Sequence, residues 1–215
     1  MEQKINWPET LFVTGIDTDA GKSYATGWLA RQMAADGHNV ITQKFIQTGN
    51  TDFSEDIAVH RRLMEIEPVA ADRLGITAPV IFTYPASPLL ASRIDDKPLR
   101  LEIIDEATRV LLSSYDNVIV EGAGGLMVPL FEEYFTLDYI RDRELPAVLV
   151  TNGRLGSVSH TLLSLEAMRA AGIKLFAVVY NPYFDSDPVI SKDTREYLRR
   201  QTARLFPNAL YLEMD

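Results

Sequence analysis

The chain contains no cysteine among its 215 residues. That excludes disulfides, cysteine-ligated zinc and thiol catalysis, while leaving the compartment open. Histidine is scarce as well: His38, His60 and His160 share no spacing that suits a metal. His38 and His60 read as structural or surface residues. Basic side chains are outnumbered, 21 Lys and Arg against 30 Asp and Glu, for a net charge of −9. That balance argues against a protein devoted to nucleic acid or an anionic membrane. No apolar run approaches the length of a membrane span, and residues 1–10 lack the apolar core of a signal peptide. The expectation is a cytoplasmic protein with neither nucleic acid nor membrane as a partner. Repeats and low-complexity segments are absent too. What is present, 47% hydrophobic and 24% charged residues, suits a single α/β domain over residues 1–215, with 1–9 as a polar tail.

The organising stretch is Thr14-Gly15-Ile16-Asp17-Thr18-Asp19-Ala20-Gly21-Lys22-Ser23. It follows the apolar run Leu11-Phe12-Val13 and precedes a helical pattern of Ala25, Trp28, Leu29 and Met33, which Gly37 ends. Strand, glycine-bounded loop and helix in that order form a phosphate-binding loop. Gly15 and Gly21 let backbone N–H groups approach phosphate oxygens. Lys22 brings charge to the β/γ-phosphates, Ser23 offers a hydroxyl to Mg²⁺, and the helix adds its positive end. Five residues separate Gly15 from Gly21, one more than the usual loop.

Further along, residues 40–45 read as a second strand and Ser54-Glu55-Asp56 as a helix start, with Ile57, Leu63 and Met64 on its apolar side. Residues 98–113 look helical, with Leu99, Ile103, Ala107 and Val110 in phase. Val118-Ile119-Val120, Ala147–Val150 and Ala177–Tyr180 are continuous apolar runs, each stopping at a polar or glycine-rich turn. Such runs alternating with helices predict a doubly wound, mainly parallel sheet with helices on both faces. Ligands of such sheets sit at the carboxyl ends of the strands. Glu121, directly after one run, suits a Mg²⁺ beside the phosphates, with Ser23 and Asp56 completing the set. Asp56 equally suits a plain helix-start charge. Lys44, ending the second strand, could bridge the γ-phosphate and a second substrate. Both Lys22 and Lys44 are expected to be reachable by solvent. Gly153–Ser159 opens a helix carrying Val158, Leu162, Leu165 and Met168, whose free N–H groups could take a carboxylate. Arg195, Arg199, Arg200 and Arg204 read as a solvated helix face.

The ordered set resembles the dethiobiotin synthetase family over nearly the whole chain. It comprises the loop with its five-residue spacing, Lys44 with Thr48-Gly49, Asp56, Ser87-Pro88, and Val120-Glu121-Gly122-Ala123-Gly124-Gly125. Leu155-Gly156, Ser159-His160 and Asn181 complete it. The resemblance implies an ATP-dependent cyclo-ligase joining CO₂ to 7,8-diaminopelargonate with Mg²⁺. It implies that Lys22, Lys44 and Thr18 act at the reacting end. ATP would meet Asp19, Ala20, Gly21, Lys22, Ser23, Asp56, Glu121, Gly122, Ala123, Gly124, Asn181 and Pro182, with Asn181 at the adenine. Substrate would meet Thr48, Ser87, Pro88, Gly153, Leu155, Gly156 and Ser159. It further implies a homodimer, with the substrate carboxylate held at the partner's 153–159 helix start.

Four features depart from the family pattern: Ser23 for Thr, Asp19 for Glu, Leu89 for a His, and a tail without a Gly-x-Ile-Pro-like segment. The last leads to an expectation of weak discrimination between bases. Two rivals are weaker. A cobyrinate-diamide-type ligase needs a cysteine nucleophile, and a partition-protein-type switch usually has a second loop lysine where Asp17 stands.

Overall fold

In the computed structural model, which describes residues 5–215, each apolar run is a strand buried on both faces. β1 (Thr10–Gly15) passes through the glycine-bounded loop into α1 (Lys22–Ala35), then β2 (Val40–Lys44). The short strands β3 (Gln47–Thr48) and β4 (Ile81–Phe82) pair in parallel around α2 (Glu55–Leu63) and α3 (Ala70–Arg73). α4 (Pro88–Ile94), α5 (Leu101–Leu112) and β5 (Asn117–Gly125) follow. The hairpin β6 (Pro129–Phe131) and β7 (Tyr134–Phe135) leads to α6 (Thr136–Asp142), β8 (Ala147–Asn152), α7 (Ser157–Ala170) and β9 (Leu175–Asn181). A 3-10 turn (Pro182–Phe184), α8 (Pro188–Leu205) and β10 (Leu210–Glu213) come last.

The main sheet has the order β10-β9-β8-β1-β5-β2, parallel throughout. Alternate residues of β1 serve opposite faces, as the pleat requires. Phe12 joins a core with Ile104 of α5, Ile140 of α6 and Met168 of α7, whereas Leu11 and Val13 pack with Leu29 and Met33 of α1. Helices therefore cover both faces, as the alternating pattern predicts. No helix among the described residues is long and apolar enough to cross a membrane.

Several local readings change. Residues 1–4 of the expected tail lie outside the described residues, but Trp7 is buried and donates to Asp36 Oδ2 at 2.7 Å, so the chain enters the core before Pro8. In α5 the buried set is Leu101, Ile104, Ala107 and Leu111, while Ile103 and Val110 are exposed. Two interleaved apolar sets share Ala107, and the sheet selects the one that periodicity alone does not. In α7, Ser157 and Thr161 face inward ahead of Leu165 and Met168. Thr161 is held by Thr151 Oγ1 and by the Ser157 carbonyl, each at 2.6 Å. β5 does not stop at Val120 but runs on through Gly125. A side chain at Gly122 would meet the Phe12 ring at 2.9 Å, so that glycine serves packing.

Candidate functional site

The carboxyl ends of β1, β2, β5, β8 and β9 bring together the loop, two lysines and two acids. Gly21 precedes α1 with φ +95°, a conformation that side chains resist, and leaves the helix start without a side-chain cap. The first N–H groups of α1 are thus free for an anion. A Cβ on Gly21 would also lie 2.1 Å from Asn181 Nδ2. Lys22 folds over the loop, donating to the carbonyls of Asp17 at 2.8 Å and Thr18 at 2.9 Å. Burial, joined by the repulsion of Lys44 and opposed by Glu121, pushes Lys22 down to about 8.

Beside it lies a knot of charge. Lys44 Nζ is 2.5 Å from Asp56 Oδ2, 2.9 Å from Glu121 Oε1 and 3.2 Å from the Gly122 carbonyl. Ser23 Oγ is 2.7 Å from Asp56 Oδ1 and 2.9 Å from Glu121 Oε1. Burial works against the Lys44 charge, yet Glu121 and then Asp56 outweigh it and hold the amine above its ordinary value. Burial likewise opposes the Glu121 charge, but Lys44 and the hydrogen bond from His60 hold that carboxyl well below the usual range. Lys22 and Lys44 are both buried, 4% and 5% exposed, contrary to the expectation that solvent reaches them. Loop carbonyls wrap the first, and two acids wrap the second. Asp56 and Glu121 each present oxygen within hydrogen-bond reach of the Ser23 hydroxyl, the donor chemistry Mg²⁺ prefers. Among the described residues, no three His, Asp or Glu side chains group to hold a metal by themselves. A Mg²⁺ completed by water and phosphate matches that sparse set.

A cavity of about 800 Å³ opens over the knot. Thr18, Asp19, Gly21, Lys22, Ser23, Lys44, Thr48, Asp56, Glu121, Ala123, Gly124, Asn181 and Pro182 all line it. Ala20 lies fully buried behind the loop. Asn181 Nδ2 donates to the Ala20 carbonyl at 3.2 Å, and its Oδ1 accepts from Tyr183 N at 3.0 Å. One hydrogen and one lone pair of that amide stay free. Gly122, Ser87, Pro88, Gly153, Leu155, Gly156 and Ser159 are not among the lining residues. Ser87 caps α4 through Leu90 N, with Pro88 buried at its first position. Gly153 is closed in, since a Cβ would meet Asp185 Oδ1 at 2.0 Å and the Tyr180 hydroxyl at 2.5 Å. Leu155 is fully exposed. Gly156, at φ +96°, precedes α7, and the buried hydroxyl of Ser157 has no partner among the described residues. A second cavity of about 350 Å³, lined in part by Met127, Val128 and Leu163, shares Thr18 with the first.

Sequence reasoning missed three things here. His60, set aside as structural or surface, is fully buried with Nε2 2.6 Å from Glu121 Oε2. The only signal was its position one helical turn after Asp56. Arg154, lying over the Phe184 ring at 4.8 Å, lines the main cavity. So do Met214 and Asp215, because β10 pairs with β9 and delivers them there. Asp215 Oδ1 accepts from Trp28 Nε1 at 2.5 Å. The tail thus reaches the cavity without the Gly-x-Ile-Pro-like segment on whose absence the expectation of weak base discrimination rests.

The AAA domain family matches residues 9–205. ATP-dependent dethiobiotin synthetase BioD 2 of Pasteurella multocida is 45% identical over 207 residues, covering 96% of this chain and 97% of its own. The BioD 2 of Haemophilus ducreyi is 47% identical over 95% of this chain and 97% of its own. The BioD of Chlorobaculum tepidum is 46% identical over 92% and 82%. Among solved structures, a ParA family ATPase from Chlorobium tepidum superposes with TM-score 0.52 at 14% identity, over 98% of this chain and 86% of its own. The signal recognition particle receptor FtsY of Elizabethkingia anophelis does so with TM-score 0.52 at 14% identity, over 96% and 58%. At such identity these two speak for the fold alone.

Proposed function

The chain belongs to the ATP-dependent dethiobiotin synthetase family, and on that premise we propose that it closes the cyclic urea of dethiobiotin from 7,8-diaminopelargonate, CO₂ and ATP. It is accordingly an ATP-dependent ligase. The observation that carries the reading is the meeting of Lys22, Ser23, Lys44, Asp56 and Glu121 at one end of one cavity.

One amine of the substrate takes up CO₂ as a carbamate and loses a proton. A carbamate oxygen attacks the γ-phosphorus, and ADP departs. The second amine then attacks the activated carbonyl, and phosphate leaves with the ring closed. Holding both amines beside one carbon removes most of the entropic cost of closure. Lys22 releases the loop carbonyls to hold the β/γ-phosphates. Lys44 lies where it can touch carbamate and γ-phosphate together, stabilising charge as it moves between them. Ser23, Asp56 and Glu121 would hold Mg²⁺, which when bound neutralises charge on the phosphate oxygens. Thr18, shared by both cavities, and Thr48 line the reacting end, and Asn181 has donor and acceptor left for adenine.

The active unit is a homodimer in the cytoplasm. The α7 start, which has no side-chain cap, and the exposed apolar Leu155, Leu163 and Met127 support a partner surface that takes the substrate carboxylate. Phosphate release from ATP and bicarbonate, with and without 7,8-diaminopelargonate, tests the reading. Release that needs the diamine supports it. Equal release without the diamine points to a nucleotide switch of the partition-protein type and removes the synthetase reading.

A further inference from the structure

No step described above uses His60, yet it is fully buried against the acid at the centre of the site. Glu121 divides its two oxygens: Oε1 faces Ser23 and Lys44, each at 2.9 Å, and Oε2, among the described residues, faces only His60 Nε2, at 2.6 Å. We propose that His60 is a positioning residue that fixes the orientation of the Glu121 carboxylate plane toward the divalent cation, at the end of a one-way chain of hydrogen bonds. The inference rests on Glu121 being a metal ligand, as read above.

The direction of the chain follows from what each group can give. Arg61 is anchored to Asp72 by Nε at 2.9 Å and Nη2 at 2.7 Å, and Asp72 is itself held by Thr77 and by Val69 N. The Arg61 guanidinium only donates, so at 2.8 Å the Thr42 hydroxyl accepts from Nη1. At the other end the ionised Glu121 carboxylate only accepts, so His60 Nε2 carries the ring hydrogen, and in the neutral ring Nδ1 accepts from the Thr42 hydroxyl 3.0 Å away. The ring proton is thus donated to Glu121. Bonds polarised in one sense strengthen each other in a low dielectric. The last torsion of a glutamate is broad and nearly two-fold, so packing alone leaves the carboxylate free to rotate. A donor on one oxygen narrows that rotation and keeps the other oxygen aimed at the cation position. Removing such an outer partner commonly weakens metal binding about 10–100-fold.

Mn²⁺ in place of Mg²⁺ gives a direct readout by electron paramagnetic resonance on the protein with ADP bound. His60→Leu should weaken Mn²⁺ binding about 10–100-fold, and His60→Gln, which keeps a donor near Nε2, should recover most of it. Unchanged binding in a folded His60→Leu, or a His60→Gln as weak as His60→Leu, overturns the proposal. If His60→Leu does not fold, Thr42→Val and Thr42→Ser test the preceding link. Val should weaken binding and Ser should not, and wild-type binding in Thr42→Val overturns the chain. Glu121→Gln separates the two readings. Weakening there without any effect at His60 removes the positioning role alone, whereas no effect at either removes the metal reading and this one with it.

Discussion

Replacing Gly21 by alanine perturbs two things that the structure lets one separate. The first is backbone strain. Gly21 sits at φ +95°, and an L side chain in left-handed territory costs about 1–2 kcal/mol. The second is a collision, since the new Cβ would lie 2.1 Å from Asn181 Nδ2. The amide must retreat, losing its bonds to the Ala20 carbonyl and to Tyr183 N. At about 0.5–1.5 kcal/mol each, those two bonds amount to about 1–3 kcal/mol. Gly21→Ala should therefore lose about 2–5 kcal/mol. Asn181→Ala should lose about 1–3 kcal/mol, because the same two bonds go. In the double variant those bonds are lost only once, so its cost should fall short of the sum by about 1–3 kcal/mol. Urea unfolding of the four proteins, with similar slopes, measures the cycle. Strict additivity would refute the coupling of the loop glycine to β9 through Asn181.

Lys44→Ala should abolish synthesis and also destabilise the fold by about 3–5 kcal/mol, because it leaves the buried Glu121 without its counter-charge; urea unfolding beside turnover checks this, and an unaltered midpoint counts against the ion-pair account. The Asp72 carboxyl, which burial opposes but Arg61 and Thr77 favour, is held below the ordinary carboxylate range. A depressed acid adds stability that is complete above its unfolded value and fades as pH falls through the folded one. The gap between wild type and Asp72→Asn should thus be widest near neutrality and close in acid; a gap indifferent to pH is the contrary result. Mixing a Lys22→Ala chain with a Gly156→Val chain should restore part of the lost synthesis, since one site of the hybrid dimer is intact. No recovery after proven subunit exchange speaks against a shared site.

The central strands were legible because burial on both faces leaves continuous apolar runs, as at Val118–Val120 and Ala147–Val150. The phosphate loop was legible because its glycines and Lys22-Ser23 have one spacing. The phase of α5 was not, since two apolar sets overlap at Ala107 and only the sheet chooses between them. Nor was β10: Leu210-Tyr211-Leu212 is too short to declare its neighbour, and pairing with β9 is a long-range event. At the site, Ser23 and Glu121 could be chosen from the loop and a strand end, whereas Asp56 and Lys44 suited a plain surface charge equally until the family resemblance was added. Their burial could not, because it depends on how tightly each charge finds its opposite. His60 was overlooked for the same reason: its partners, Thr42 and Glu121, lie 18 and 61 residues away.

The charge around the main cavity has a kinetic consequence. Lys22, Lys44 and Arg154 are matched against Asp19, Asp56, Glu121 and Asp215, so the lining carries 3 − 4 = −1 within a chain of net charge −9. An incoming nucleotide polyanion meets repulsion at long range and attraction only at close quarters, from the α1 N–H groups and Lys22. Added salt screens the first more than the second, since the Debye length is about 10 Å at 0.1 M. Nucleotide association should quicken as ionic strength rises, the reverse of what a positively charged funnel produces.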